Sequence, residues 1–187
     1  IIENSTAIGV EIKNKNKLEK IFADKEVLLS AGAINSPQIL MLSGVGPEDE
    51  LKNHGIKAIS ALNGVGKNLQ DHLETYVQYE CTKPVTLYSS FNPINMALIG
   101  MQWFLFKKGI AAHSNLEIGG FIRTNEMVDY PNMQYHFFPS LVIDHGRQNP
   151  SCHAFQAHVG PMRPTSRGFV KLKSSNPNDS PRIQFNY

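Results

Sequence analysis

LLSAGAINSPQILMLSGVGP, residues 28–47, sets an apolar run, a turn of the smallest side chains and a serine–proline step end to end. The segment from Glu26 to Ser30 has the apolar character of a short strand inside a sheet covered on both faces. Ser36 is placed to cap a helix over 37–43, with Pro37 at its first position, where a missing N–H costs nothing. Gly44 ends that helix because glycine reaches positive φ without a Cβ penalty. Strand, minimal turn and capped helix together make a place for a ligand, since ligands in open α/β sheets sit beyond the carboxyl ends of strands. Ala31-Gly32-Ala33 would let a bulky group lie against the backbone, and a helix start offers free N–H groups to an anionic or polar edge. The same small residues would also serve if the helix merely packs tightly on the sheet. The residues alone leave both readings open.

Working outward, Ala7–Ile12 alternates as a half-buried strand does. Lys13–Lys17 is a polar turn, and Leu18–Phe22 is the returning strand of a hairpin. Pro47–His54 reads as a short helix, acidic at its start and closed by Gly55. Lys57–Leu62 reads as a strand leading to a turn at Asn63-Gly64. Past GVGKNLQDH the texture changes. Thr75–Cys81 is β-like, and a helix is expected over Pro93–Lys108, capped by Gly109. Its apolar stretch, Met96–Phe106, falls short of the ~20 residues that cross a bilayer, so a helix buried on most faces is expected. Then come short strands in EIGGFIR, MQYHFFPS, HAFQAHVGP, RGFVKLKS and PRIQFNY, with a turn at Asn176–Asp179 between the last two. The expected fold class is α/β followed by α+β: an α/β segment over 1–75, then a largely antiparallel one over 76–187.

The chain has 187 residues and a net charge of +2, with no basic block that would suit nucleic acid. Cys81 and Cys152 are far apart and form no CxxC pair, which favours a reducing compartment over a disulfide framework. The first residues carry no initiator methionine or leader, and PRIQFNY stops without a cap. An internal piece of a longer protein, missing N- and C-terminal parts, is therefore expected. His153 and His158 share a strand region but lie five residues apart, on opposite faces, and no Cys or carboxylate nearby completes a ligand set. No metal site is expected.

Gly32–Gly46, GAINSPQILMLSGVG, resembles position by position a signature of the glucose-methanol-choline (GMC) family of flavin oxidoreductases. GVGKNLQDH (Gly64–His72) follows at that family's usual distance, and SRGFVKLKS (Ser166–Ser174) is similar to its later strand motif. SNLEIGGFIR, PNMQYHFFP and HVGPMRPTSRG resemble the choline-oxidising members. The resemblance implies part of a Rossmann-like FAD-binding domain over 1–75 and part of an antiparallel-sheet substrate domain over 76–187. It implies FAD as cofactor and oxidation of an alcohol, choline, by hydride transfer to the flavin. Alternatives are an uncharged alcohol substrate or a truncated non-catalytic module. The family's GxGxxG fingerprint is missing: Gly44/Gly46 and Gly64/Gly66 do not follow a strand and continue to a third glycine before a helix. Its catalytic histidine pair would lie beyond Tyr187, so no catalytic residue is expected within the chain.

Carried over by this resemblance, the cofactor-binding candidates are Ala31, Gly32, Ala33, Asn35, Ser36, Asn68, Asp71 and His72. Asn68, Asp71 and His72 could equally serve only to hold a loop through Asx-type bonds. Glu117 is the substrate-binding candidate. It stands before the uncharged run Ile118-Gly119-Gly120-Phe121, where an unpaired carboxylate would be costly. By resemblance, it faces the trimethylammonium group of choline; an exposed strand residue or a structural salt bridge with Arg123 is the alternative. The electron acceptor is left open between oxygen and a respiratory carrier. The expected location is cytoplasmic or peripheral to a respiratory membrane.

Overall fold

The computed structural model describes residues 1–15, 17–116 and 118–187, so Glu117 lies outside the described residues. The chain divides into two compact units, 1–71 with 165–187, and 72–164. Mixed helix and sheet with several antiparallel pairings is the architecture throughout.

The first unit opens with two antiparallel pairs, β1 (Ile2–Glu3) with β2 (Thr6–Ala7) and β3 (Gly9–Asn14) with β4 (Lys17–Phe22). The second pair runs in register from Gly9↔Phe22 to Asn14↔Lys17, the hairpin that the alternation predicts. The expected strand over 26–30 does not form. Leu28 is 80% exposed, and among the described residues no strand runs beside this segment to accept its hydrogen bonds.

Helix α1 spans Gly32–Leu42, five residues longer at its start than the cap reading predicts. Ala31 holds the N-cap position without a side-chain cap, and Ser36 lies inside the helix, where its Oγ accepts a hydrogen bond from the Ala31 N–H at 3.1 Å. Ser36 therefore satisfies a backbone donor at the helix start from within. Pro37 is also interior, so it cannot donate to the carbonyl of Ala33. The helix ends as expected before Gly44, whose φ is +86°. Strand β5 (Val45–Gly46) pairs in parallel with β6 (Ser60–Ala61). Between them, α2 (Glu48–Asn53) carries Glu48, Asp49 and Glu50 in its first turn, where the helix dipole favours acids.

Strand β7 (Lys67–Leu69) leads out of this unit; the next four strands belong to the second unit, and β12 (Gly168–Lys171) and β13 (Arg182–Gln184) return to the first. β12 lies between β13 and β7, antiparallel to both. This pairing is why the C-terminal strands, which sequence order runs on from the antiparallel segment, join the first unit instead. Gly66 makes it possible. It sits at φ +76°, its carbonyl accepts the Val170 N–H at 2.7 Å, and a Cβ there would fall 2.1 Å from the Val170 carbonyl oxygen. Met41 of α1, Leu51 of α2 and Leu172 form the buried core, flanked by Leu42, Ile56 and Val65. Glu50 fastens this core from outside by accepting the Leu172 N–H at 2.9 Å.

The second unit is built on a four-stranded antiparallel sheet in the order β8 (Thr75–Glu80), β11 (Ala154–Pro161), β10 (Met133–Phe138), β9 (Ile118–Ile122). Helix α3 spans Pro93–Phe106 and ends at Lys107 in the left-handed region, not at Gly109. None of its residues is buried, contrary to the expected buried helix; its neighbours within the unit are the one-turn helices Leu87–Phe91 and Ile110–Ala112, too short to cover it. Cys81 and Cys152 are free thiols.

Because Leu51 is fully buried against Met41 and Leu172, Leu51→Ala is expected to destabilise the first unit by about 2–5 kcal/mol. Denaturant unfolding or hydrogen exchange measures this, with protection lost in α2, β7 and β12 before the sheet of the second unit.

Candidate functional site

In the first unit, a cavity of ≈ 330 Å³ is lined by Ala33, Pro37, Gly66, Lys67, Asn68, Leu69, Gln70 and Val170. Three stretches quoted from the sequence meet there: the start of α1, the GVGKNLQDH loop and β12. Gly32, exposed beside Ala33, has no atom within 4 Å of the position a Cβ would take. The free N–H groups of the first turn of α1 carry partial positive charge, and Lys67 and the amide of Asn68 add donors. A second cavity of ≈ 140 Å³ shares Gly66, Lys67 and Val170 but also takes in Asp49 and Glu50, which disfavour an anionic ligand.

Of the residues expected at a cofactor, Ala33 and Asn68 line the larger cavity. Asn68 holds φ +59°, a conformation its short polar side chain tolerates. Ala31 and Ser36 are half-buried and bonded to each other, while Gly32 and Asn35 are exposed at the helix start. Asp71 is engaged elsewhere in the unit, its Oδ2 accepting the Tyr187 hydroxyl at 2.5 Å. His72 begins the second unit, with Nε2 at 3.1 Å from the Met162 carbonyl. The structure brings part of the expected set to one cavity and gives Asp71 and His72 bonding partners of their own.

In the second unit, one face of the sheet gathers polar and titratable groups that sequence reasoning did not collect. His136 and His158 are paired across β10 and β11, with rings stacked 4.6 Å apart at 14°. Glu74 reaches both: Oε1 is hydrogen-bonded to His158 Nδ1, and Oε2 lies 3.5 Å from His136 Nε2. Tyr76 flanks His158 at 5.2 Å between ring centroids. Sequence spacing separates these residues widely, so only the strand register could have found them. The carboxylate sought near the histidines is Glu74.

One ligand atom each from Glu74, His136 and His158 lies within 4.8 Å of the others, which raises a metal. Hydrogen bonding disfavours it. Fully buried Gln156 accepts the Val142 N–H at 3.0 Å and the Gln78 amide at 2.9 Å on its oxygen, so its own NH₂ faces His158 Nε2 at 2.5 Å. His158 Nε2 must then accept, the ring proton sits on Nδ1, and that proton is donated to Glu74. A ligand needs a bare nitrogen, and neither nitrogen of His158 is available without breaking this chain.

A family model described as GMC oxidoreductase matches residues 1–74. The whole chain is 51% identical to the mitochondrial choline dehydrogenase of Homo sapiens and 49% identical to the oxygen-dependent choline dehydrogenase of Brucella ovis. Residues 1–74 form a GMC oxidoreductase domain. The chain covers 32% and 34% of those two proteins, so it spans about a third of the length of the curated relatives it matches. Among solved structures, a formate oxidase aligns over 100% of this chain and 38% of its own, with TM-score 0.87 and 25% identity. A pyridoxine 4-oxidase aligns over 100% and 33%, with TM-score 0.73 and 25% identity. The GMC match and these folds agree with the mixed helix-and-sheet architecture read from the sequence.

The hydrogen bond to Asp71, then desolvation and the charge of that carboxylate, push the Tyr187 phenol above its usual range. A raised value means that the neutral phenol persists to higher pH. Asp71→Asn is expected to bring the Tyr187 titration down toward that of an ordinary tyrosine, as followed by NMR of ring-labelled tyrosine with Tyr187→Phe for assignment.

Proposed function

We propose that this chain is part of an FAD-dependent alcohol oxidoreductase that oxidises choline to betaine aldehyde by hydride transfer to the flavin. The observation that carries the reading is overall identity of 49–51% with choline dehydrogenases in alignments that span the whole chain. The roles expected from the sequence go with the two units: residues 1–71 with 165–187 as part of the FAD-binding domain, and 72–164 as part of the substrate domain, so that the end of the expected 76–187 segment goes with the cofactor.

The residues at the first-unit cavity fit such a cofactor. Gly32 leaves open space where a side chain would stand, and Ala31 and Ala33 place nothing larger than a methyl beside it. The helix-start amides, Asn68 and Lys67 present donors to an anionic or carbonyl-rich edge. A cavity of ≈ 330 Å³ is smaller than FAD, so these residues hold one portion of the group. When bound, FAD supplies the hydride acceptor. In this reading Ala31, Gly32 and Ala33 give close approach, Ser36 keeps the helix start in place, and Asn35, Asn68, Asp71 and His72 shape the surrounding loops.

Choline carries a fixed positive charge, which favours a carboxylate and aromatic faces; a desolvated cation–π contact is worth ~2 kcal/mol. Glu117 is assigned that carboxylate. Binding the cation there orients the hydroxyl end of the substrate away from it. A location peripheral to a respiratory membrane belongs to the same proposal; among the described residues no helix is long and apolar enough to cross a membrane.

The test uses the full-length protein: choline is added without oxygen and the visible flavin absorbance is followed. Bleaching by choline but not by an uncharged isostere is expected. Bleaching only by another alcohol would keep the cofactor and overturn the substrate, and absence of bound flavin would favour a non-catalytic module. Glu117→Gln should raise the choline KM about tenfold or more, the scale of losing a desolvated charge contact, with a smaller effect on uncharged alcohols.

A further inference from the structure

In the first unit, β7 and β13 flank β12 and are both antiparallel to it, so they run in the same direction on either side of one strand. Leu69 of β7 is paired with Gly168, and Gln184 of β13 is paired with the next residue, Phe169. Asp71 follows Leu69 by two residues, and Tyr187 follows Gln184 by three. Both therefore leave the sheet at the same end, with one strand between them and two strand spacings of about 4.8 Å each to cross. Gly168 keeps the middle strand bare at this point. A Cβ there would fall 1.9 Å from the Gln184 carbonyl oxygen and 2.8 Å from the Phe185 Cα, so the returning chain lies directly against its backbone.

The segment after β13 is braced before it reaches across. Asn186 turns the chain at φ +55°, and its side-chain amide donates to the Arg167 carbonyl at 3.1 Å. The Tyr187 ring stacks on Phe185, with centroids 5.3 Å apart at 16°. Its hydroxyl donates to Asp71 Oδ2 at 2.5 Å. That bond fixes the far end of the loop 67–71, whose near end is fixed by the Val170 N–H on the Gly66 carbonyl. Lys67, Asn68, Leu69 and Gln70 lie between the two ties, and all four line the ≈ 330 Å³ cavity. Asn68 holds φ +59°, and a residue with a Cβ keeps such a backbone only where its surroundings impose it. Two fixed ends impose it.

We propose that Tyr187 is a positioning residue for the cofactor: through Asp71 it holds the far end of the loop 67–71, so that Asn68 and Gln70 keep their places on the cavity wall. The proposal rests on the flavin-binding reading above. Tyr187 is not part of the cavity wall and acts through Asp71. Tyr187→Phe keeps the stacked ring and removes only the donor. Asp71→Ala removes the acceptor, whereas Asp71→Asn keeps a side-chain oxygen that accepts from the phenol.

The experiment takes the full-length protein, removes its FAD and returns it by titration. Two quantities are read: the FAD dissociation constant from flavin fluorescence, and amide hydrogen exchange across the loop 67–71 in the flavin-free protein. Tyr187→Phe and Asp71→Ala are expected to raise the FAD Kd about 3- to 10-fold, the scale of one lost hydrogen bond, and to speed exchange in that loop. Asp71→Asn should stay within about twofold of wild type in Kd, because its acceptor remains. Both residues act through one bond, so Tyr187→Phe should add nothing to the loss caused by Asp71→Ala. An unchanged Kd in Tyr187→Phe, exchange that quickens equally throughout the protein, losses that multiply in the double variant, or an Asn variant as impaired as Ala would overturn the proposal. Should Asp71→Ala fail to fold, Tyr187→Phe compared with Asp71→Asn decides. Should the wild-type protein take up no FAD, the cofactor reading itself falls, while exchange across 67–71 in Tyr187→Phe still decides whether Tyr187 holds the loop.

Discussion

The Val170 N–H bonded to the Gly66 carbonyl at 2.7 Å is the constraint on which the first unit depends. It draws β12 against β7, closes the cavity around Asn68, and carries Leu172 into contact with Met41 and Leu51. No residue with a Cβ could take the place of Gly66, because backbone already occupies that space and the φ is positive. Core and candidate cofactor site thus share a single close approach. A shift of either strand would uncover Leu172 and open the cavity together.

The second unit depends on register in the same way. Pairing of His136 with His158, and of His158 with Tyr76, follows from strands that meet residue for residue. A slip of one position would send the imidazoles to the opposite face, since successive strand side chains alternate. Buried Gln156 then does what an apolar residue could not. With its oxygen taken by two donors, its amide has one orientation, and that choice passes through His158 to Glu74. The arrangement is a polar network with its directions set from the buried end.

Where local reading and structure part, tertiary context is the cause. Ser36-Pro37 has the composition of a helix start, yet α1 begins at Gly32 and takes both residues inside, with Ser36 reaching back to the Ala31 N–H. The apolar run 26–30 has the composition of a buried strand, but a strand exists only where a neighbour accepts its hydrogen bonds, and among the described residues none does. The apolar residues of α3 imply burial, while the neighbours it has in its unit are too short to provide it.

By itself the sequence determined the likeness to GMC oxidoreductases, through the long run Gly32–Gly46 and the GVGKNLQDH loop. It also determined the hairpin over 9–22, the end of α1 at Gly44 and the antiparallel strands of the second half, because alternation, turn residues and glycine are local signals. Tertiary structure alone decided that Ala33, Asn68 and Val170 share a cavity and that Asp71 is bound to Tyr187. It alone assembled Glu74, His136 and His158. Those meetings depend on which strands pair and in what register, and pairing between distant segments leaves no trace in the spacing of residues along one chain.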